Sequence, residues 1–142
     1  MSEITVDLAS LILRLTLGVI MVSHGIPKIK KREILGKKWN NHYGIPKASV
    51  WLTGILQIVT GVLLIVGLLT RLTALVLTLD MLVALLICIF NSHHREPFNS
   101  VSPDKGWDVN LLLVASLVVV MILGPGQWSL DVALSLKPWL LF

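Results

Sequence analysis

Six side chains with hydrogen-bonding or ionisable groups fall within or at the edge of long apolar runs: Arg14, His24, Gln57, Asp80, Asp108 and Asn110. Arg14 and Asp80 carry full charges. A lone charge at membrane depth costs several kcal/mol, so such residues turn inward and pair. Arg14 lies about seven residues into the first apolar run and Asp80 about eight into the third. At 1.5 Å per residue both sit roughly 10–12 Å below the same face. Equal depth points to an Arg14–Asp80 ion pair, which serves either as a clasp between helices or as an anion or proton site. Gln57 and Asn110 form a second depth band, with His24 and Asp108 near its basic edge. In lipid, Gln and Asn act either as interhelical bonding groups or as pocket lining. The expectation is that Gln57 and one polar group of the fourth run meet at a common interior site. His24, whose unperturbed range is near neutral pH, could move a proton there.

The elements that must position these groups are four apolar helices. Residues 54–90 read GILQIVTGVLLIVGLLTRLTALVLTLDMLVALLICIF, broken once at Thr70-Arg71. A helix crosses the roughly 30 Å hydrocarbon core in about 20 residues, so this stretch is two spans and a turn. A helix apolar all round is buried or in lipid. The spans are expected at about 7–26, 48–69, 72–91 and 108–123. His24-Gly25-Ile26-Pro27 ends the first, since Gly and Pro discourage continuation. A basic loop follows, with Lys28, Lys30, Lys31, Arg32, Lys37, Lys38 and Lys47. Gly124-Pro125-Gly126 ends the fourth span. The tail WSLDVALSLKPWLLF is too short to cross, and its Trp128 and Trp139 favour the headgroup boundary, which suggests a short interfacial helix. The fold class is therefore all-α: a single integral membrane domain over 1–142, a four-helix antiparallel bundle with a short C-terminal interfacial helix.

Composition agrees. The 142 residues are 55% hydrophobic and 14% charged, against about 25% charged in soluble domains, and mean hydropathy is +0.83. The formal net charge of +4 reports orientation, not nucleic-acid binding. Loops one–two and three–four carry nine Lys/Arg, the seven above plus Arg95 and Lys105, whereas the other side has Arg71 and Lys137. The positive-inside rule then makes this a multi-pass protein of the cell membrane with both termini away from the cytoplasm. The one cysteine, Cys88, forms no internal disulfide or CxxC pair and reads as a packing residue. Adjacent His93 and His94 with Glu96 rarely chelate one ion, so no metal is expected. Small-plus-polar stripes mark helix contacts or line a narrow cavity: Arg14, Gly18 and Gly25; Gly54, Gln57 and Gly61; Asp80, Ala84, Cys88 and Asn91.

Three stretches together resemble the DoxX family of small four-span membrane proteins. They are LILRLTLGVIMVSHGIPKI, GILQIVTGVLLIVGLLTRLTAL, and GWDVNLLL leading to LGPGQWSLD. Arg14, His24, Gly25, Gly61, Gly67, Arg71, Asp108, Gly124, Gly126 and Asp131 fall on the positions that carry the likeness. The family includes the membrane subunit of archaeal thiosulfate:quinone oxidoreductase and bacterial proteins associated with redox and thiol-stress partners. The resemblance implies quinone-level electron transfer, with a protein partner or a homo-oligomer in the bilayer. Many members carry a glutamate where this chain has Gln57. No haem, flavin or iron–sulfur motif is present, so any redox cofactor is quinone or belongs to a partner. Two readings stand. In one, Arg14, Gln57, Asp80 and Asn110 line a quinone pocket, with His24 and Asp108 handling protons. In the other, the protein is a non-catalytic scaffold or small-molecule carrier and these residues hold helices together.

Overall fold

The computed structural model describes residues 3–91, 96–99 and 106–135. Among the described residues six helices follow one another: α1 Glu3–Lys30, α2 Arg32–Tyr43, α3 Lys47–Val66, α4 Thr70–Phe90, α5 Asp108–Leu123 and α6 Leu130–Ala133. Helices α1, α3 and α4 are long and apolar enough to cross a membrane, while α5 is apolar and shorter, at 16 residues. Around the bundle, α1 packs on α3, α3 on α4, α4 on α5 and α5 on α1, so spatial neighbours run antiparallel. The core is a column of Leu17, Met21, Leu64, Ala74, Leu77, Met81, Leu113, Leu117 and Val120. Large apolar side chains on the outer faces, among them Val19, Val59, Val83 and Ile122, are exposed. Helices apolar on their outer faces as well as their inner ones are expected where lipid is the solvent.

Two glycine pairs set how close α1 and α3 come. A Cβ added to Gly18 would lie 2.7 Å from the carbonyl oxygen of Gly61, and one added to Gly25 would lie 2.7 Å from that of Gly54. Backbone therefore meets backbone at both places, the arrangement that small residues permit in lipid. The pairs also fix the register: four residues from Gly18 toward the N-terminus is Arg14, level with the C-terminal end of α3.

Several expectations are corrected. α1 does not end at residue 26; it runs through Pro27 to Lys30. Proline removes one backbone donor, but it falls in the last turn, where Lys31 N–H still reaches the Pro27 carbonyl at 2.8 Å. At 28 residues α1 is about 42 Å long, longer than the hydrocarbon core, and its lysine-bearing end projects into the headgroup region. The basic loop is not a loop over most of its length, because residues 32–43 form α2. Its one buried residue is Gly36, set against Lys47 at the start of α3. The break in the central hairpin is at Gly67–Leu69, with Thr70 and Arg71 already in α4. Gly67 ends α3 at φ 71°, with its N–H on Leu64 O and the Leu68 N–H on Leu63 O at 2.9 Å. This is a left-handed helix stop that glycine adopts without strain.

Candidate functional site

The polar residues sort into two clusters at opposite ends of the bundle. At the α6 end, Ser10 Oγ donates to the Gly124 carbonyl at 2.6 Å, and Arg14 Nη2 donates to the Trp128 carbonyl at 2.8 Å. Asp131, 1% exposed, accepts from Leu69 N–H at 2.6 Å and Thr70 N–H at 2.8 Å. Its own N–H reaches Gly67 O at 2.9 Å. One carboxylate thus holds the strained Leu69, at φ 50°, and satisfies the first backbone donors of α4, where the helix dipole also favours negative charge.

Arg14 is fully buried, and Asp131 acts on it electrostatically from beyond ion-pair distance. The Arg14–Asp80 pair is therefore not formed. Depth counted from the start of each apolar run misled, because the glycine register sets Arg14 beside the α3–α4 turn, whereas Asp80 is ten residues along from Thr70, level with Gln57. A side chain at Gly67 would overlap the guanidinium and Ser129, so the glycine makes room for the charge. The C-terminal segment is drawn onto the bundle end through Asp131. Trp128 is exposed there, α6 is four residues long, and Trp139 lies outside the described residues.

At the other end a chain of hydrogen bonds crosses three helices. Lys28 Nζ donates to Gln57 Oε1 at 2.8 Å, and Gln57 Nε2 donates to Asp80 Oδ2 at 2.6 Å. Gln57 is 1% exposed. Its amide presents an oxygen to the cation and an N–H to the anion, so one neutral group separates and satisfies both charges. Lys28 Nζ also stands 5.3 Å from the centre of the Trp39 ring, within cation–π range.

Above this chain lies a cavity of about 250 Å³, lined by His24, Lys28, Trp39, Gln57, Met81 and Asn110, among others. An adjoining cavity of about 380 Å³ shares His24, Tyr43, Cys88 and Asn110 with it and extends to Glu96 and Val109. Tyr43 closes one side. Its hydroxyl donates to Glu96 at 2.7 Å, its carbonyl accepts from Asn91 Nδ2 at 2.9 Å, and His42 Nε2 stands 3.7 Å from the same Glu96 carboxylate. Burial, and then the hydrogen bond and negative charge of Glu96, raise Tyr43 well above its ordinary range, so it stays a neutral phenol at physiological pH.

Of the six residues singled out by type and spacing, His24, Gln57 and Asn110 line this cavity, and Asp80 bonds to it through Gln57. Gln57 and Asn110 share the cavity but take separate partners: Gln57 bonds Lys28 and Asp80, and Asn110 Nδ2 lies 3.7 Å from Cys88 Sγ. Asp108 opens α5 and accepts from Val109 N–H at 2.9 Å. Arg14 belongs to the other cluster. His93 and His94 lie outside the described residues. Sequence reasoning missed Lys28, Trp39, Tyr43 and Glu96. Lys28 could have been found, because it extends the helical face of Arg14, Gly18, Met21 and Gly25 at spacings of three and four.

A bundle of apolar helices with a cavity at one end defines a small helical membrane protein. Its residues 9–90 match the DoxX family model, and the chain belongs to that family. It is 32% identical over 131 residues to an uncharacterised membrane protein of Mycobacterium tuberculosis, covering 87% of this chain and 79% of the relative. No solved structure matches it.

The Arg14–Asp131 assignment makes a prediction. Asp131→Leu removes the negative charge that acts on the buried guanidinium and leaves the Leu69 and Thr70 N–H groups without their acceptor, a loss of about 1–3 kcal/mol for each orphaned donor. Adding Arg14→Met should recover part of that loss, read as the unfolding midpoint in detergent, and adding Asp80→Leu to Asp131→Leu should recover none. Recovery with Asp80→Leu instead would contradict the assignment.

Proposed function

We propose that the protein is the membrane subunit of a quinone-linked oxidoreductase, binding the quinone head in the cavity beneath α2 and taking electrons from a partner protein. The supporting observation is the open cavity itself. It joins apolar walls from Trp39, Ile45, Met81, Ala84 and Ile87 to the donors of Lys28 and Asn110. A quinone head is a flat apolar ring with a carbonyl oxygen at each end. Binding sites of this kind are mostly apolar with a few placed polar groups. On reduction the ring takes two electrons from the partner and two protons, and negative charge builds on the carbonyl oxygens. A cation and hydrogen-bond donors near those oxygens favour the reduced forms electrostatically. The Lys28 ammonium carries three protons, one of them directed to Gln57. Held between Trp39 and Gln57, it is the group best placed to meet a carbonyl oxygen. His24 on the cavity wall adds an imidazole that can donate or accept a hydrogen bond. The Arg14 cluster takes no part in this chemistry and serves the fold.

Binding is testable without a partner. Purified protein in neutral-lipid nanodiscs, titrated with decylubiquinone, should show saturable quenching of Trp39 fluorescence, identified against a Trp39→Phe variant. Ala84→Phe, which fills the cavity, should weaken binding by about tenfold or more, equivalent to about 1.4 kcal/mol. Val83→Phe, on the exposed face of the same helix, should not. Quenching that rises only linearly, as in empty discs, or that is equal in both phenylalanine variants, would overturn the reading.

The same reading sets the α2 end toward the cytoplasm, on the strength of the lysine and arginine asymmetry. A Lys37→Cys variant in a Cys88→Ala background should then resist membrane-impermeant maleimide in intact cells and react after lysis. Labelling in intact cells reverses the orientation.

A further inference from the structure

A separate cavity of about 450 Å³ lies on the outer side of the α2–α3 corner, lined by Arg32, Glu33, Lys37, Lys47, Ala48 and Trp51. Three of these residues are cations and one is an anion, so the lining carries a formal net charge of +2. The cleft is built by packing. Gly36 lets the α2 backbone lie against Lys47, where a Cβ would already be 3.2 Å from the lysine side chain. That contact holds Arg32 and Lys37 of α2 facing Lys47 at the N-terminus of α3, whose dipole adds positive potential.

The surface beneath the cleft says what occupies it. Trp51, Ile55, Val59, Val62 and Val66 are exposed and recur every three or four residues, so they form one strip down the outside of α3. The strip starts in the cleft at Trp51 and runs toward the α6 end. From Trp51 to Val62 it covers about 16 Å, close to half the roughly 30 Å hydrocarbon thickness, which is one leaflet. Tryptophan at its head marks the headgroup level. Basic pockets beside membrane helices suit anionic headgroups.

We propose that this cleft is a binding site for one anionic phospholipid, its phosphate held by Arg32, Lys37 and Lys47 and an acyl chain lying along the α3 strip. Arg32 presents a planar fork suited to phosphate oxygens, and the two lysines act as point charges. Glu33 offers an acceptor to a hydroxylated headgroup, so phosphatidylglycerol is the probe of choice.

The test uses the full chain reconstituted in equal parts dioleoylphosphatidylcholine and dioleoylphosphatidylglycerol, with retained lipid counted by native mass spectrometry. Wild-type protein should retain one phosphatidylglycerol in preference to phosphatidylcholine. Arg32→Gln/Lys37→Gln/Lys47→Gln should lower that retention about tenfold or more. Lys30→Gln/Lys31→Gln/Lys38→Gln removes the same charge outside the cleft and should keep it. Circular dichroism checks that both variants remain helical; all six positions are at or near the surface. Equal loss in both variants means diffuse attraction and overturns the site. So does equal retention of the two lipids, and so does displacement of phosphatidylglycerol by inorganic phosphate, which would make a free anion the ligand.

Discussion

The close approach of α1 to α3 is the constraint from which the rest follows. Two glycine pairs, Gly18 with Gly61 and Gly25 with Gly54, bring backbone against backbone and leave one antiparallel register. In that register Arg14 can only stand beside the α3–α4 turn, where Gly67 makes space and Asp131 supplies charge. Lys28, fourteen residues further along α1, can only stand at the opposite end, where it reaches Gln57. Hydrocarbon offers no competing hydrogen bonds, so polar groups are held by partners inside the protein, while Arg14 Nε and Nη1, Thr70 Oγ1 and Arg71 Nε are buried with no hydrogen-bond partner among the described residues. A shift along the helix axis would strand several of the bonded groups together.

The two polar clusters solve this requirement differently. At the α6 end the partners are mostly backbone groups, satisfied by Ser10, Arg14 and Asp131, and the outcome is a closed joint between α1, the turn and the C-terminal segment. At the α2 end the partners are side chains arranged as cation, amide and carboxylate, and space remains beside them. A joint whose side chains are bonded to backbone groups is structural. A charged chain that borders a cavity can change its contacts when a ligand enters. That contrast is the reason for reading function at one end and stability at the other.

Much of the fold was legible in the sequence because hydropathy alone sets the spans. Hydropathy predicts helices over 72–91 and 108–123, and α4 and α5 lie within two residues of those bounds. What the sequence concealed has physical causes. α2 carries little apolar periodicity, as its role is to lay lysines and one tryptophan over the bundle, so it read as a loop. Pro27 signals a stop, yet a proline in the last turn removes only one bond, and Lys28 was lost from view with the helix that carries it. The Arg14–Asp80 pairing failed because depth in a run is a poor proxy for register, and glycines set register through contacts that spacing does not specify. Asp131 acts across 61 residues of chain on Thr70, a pairing visible only once the tail is folded. Gln57 and Asn110 line one cavity, but a shared cavity differs from a shared hydrogen bond.

Gln57 concentrates the account, because its neutrality is what lets a lysine and an aspartate sit on either side of one side chain. A charge-transposition experiment tests this directly, using the unfolding midpoint of the purified protein in neutral detergent at neutral pH. Gln57→Glu places two carboxylates in contact and should destabilise by about 1–3 kcal/mol. Adding Asp80→Asn moves the single negative charge one step along the chain and restores a cation, an anion and an amide. The double variant should return most of the way to wild type. A Gln57→Glu variant as stable as wild type, or a double variant as damaged as the sum of the two single changes, would contradict the central claim.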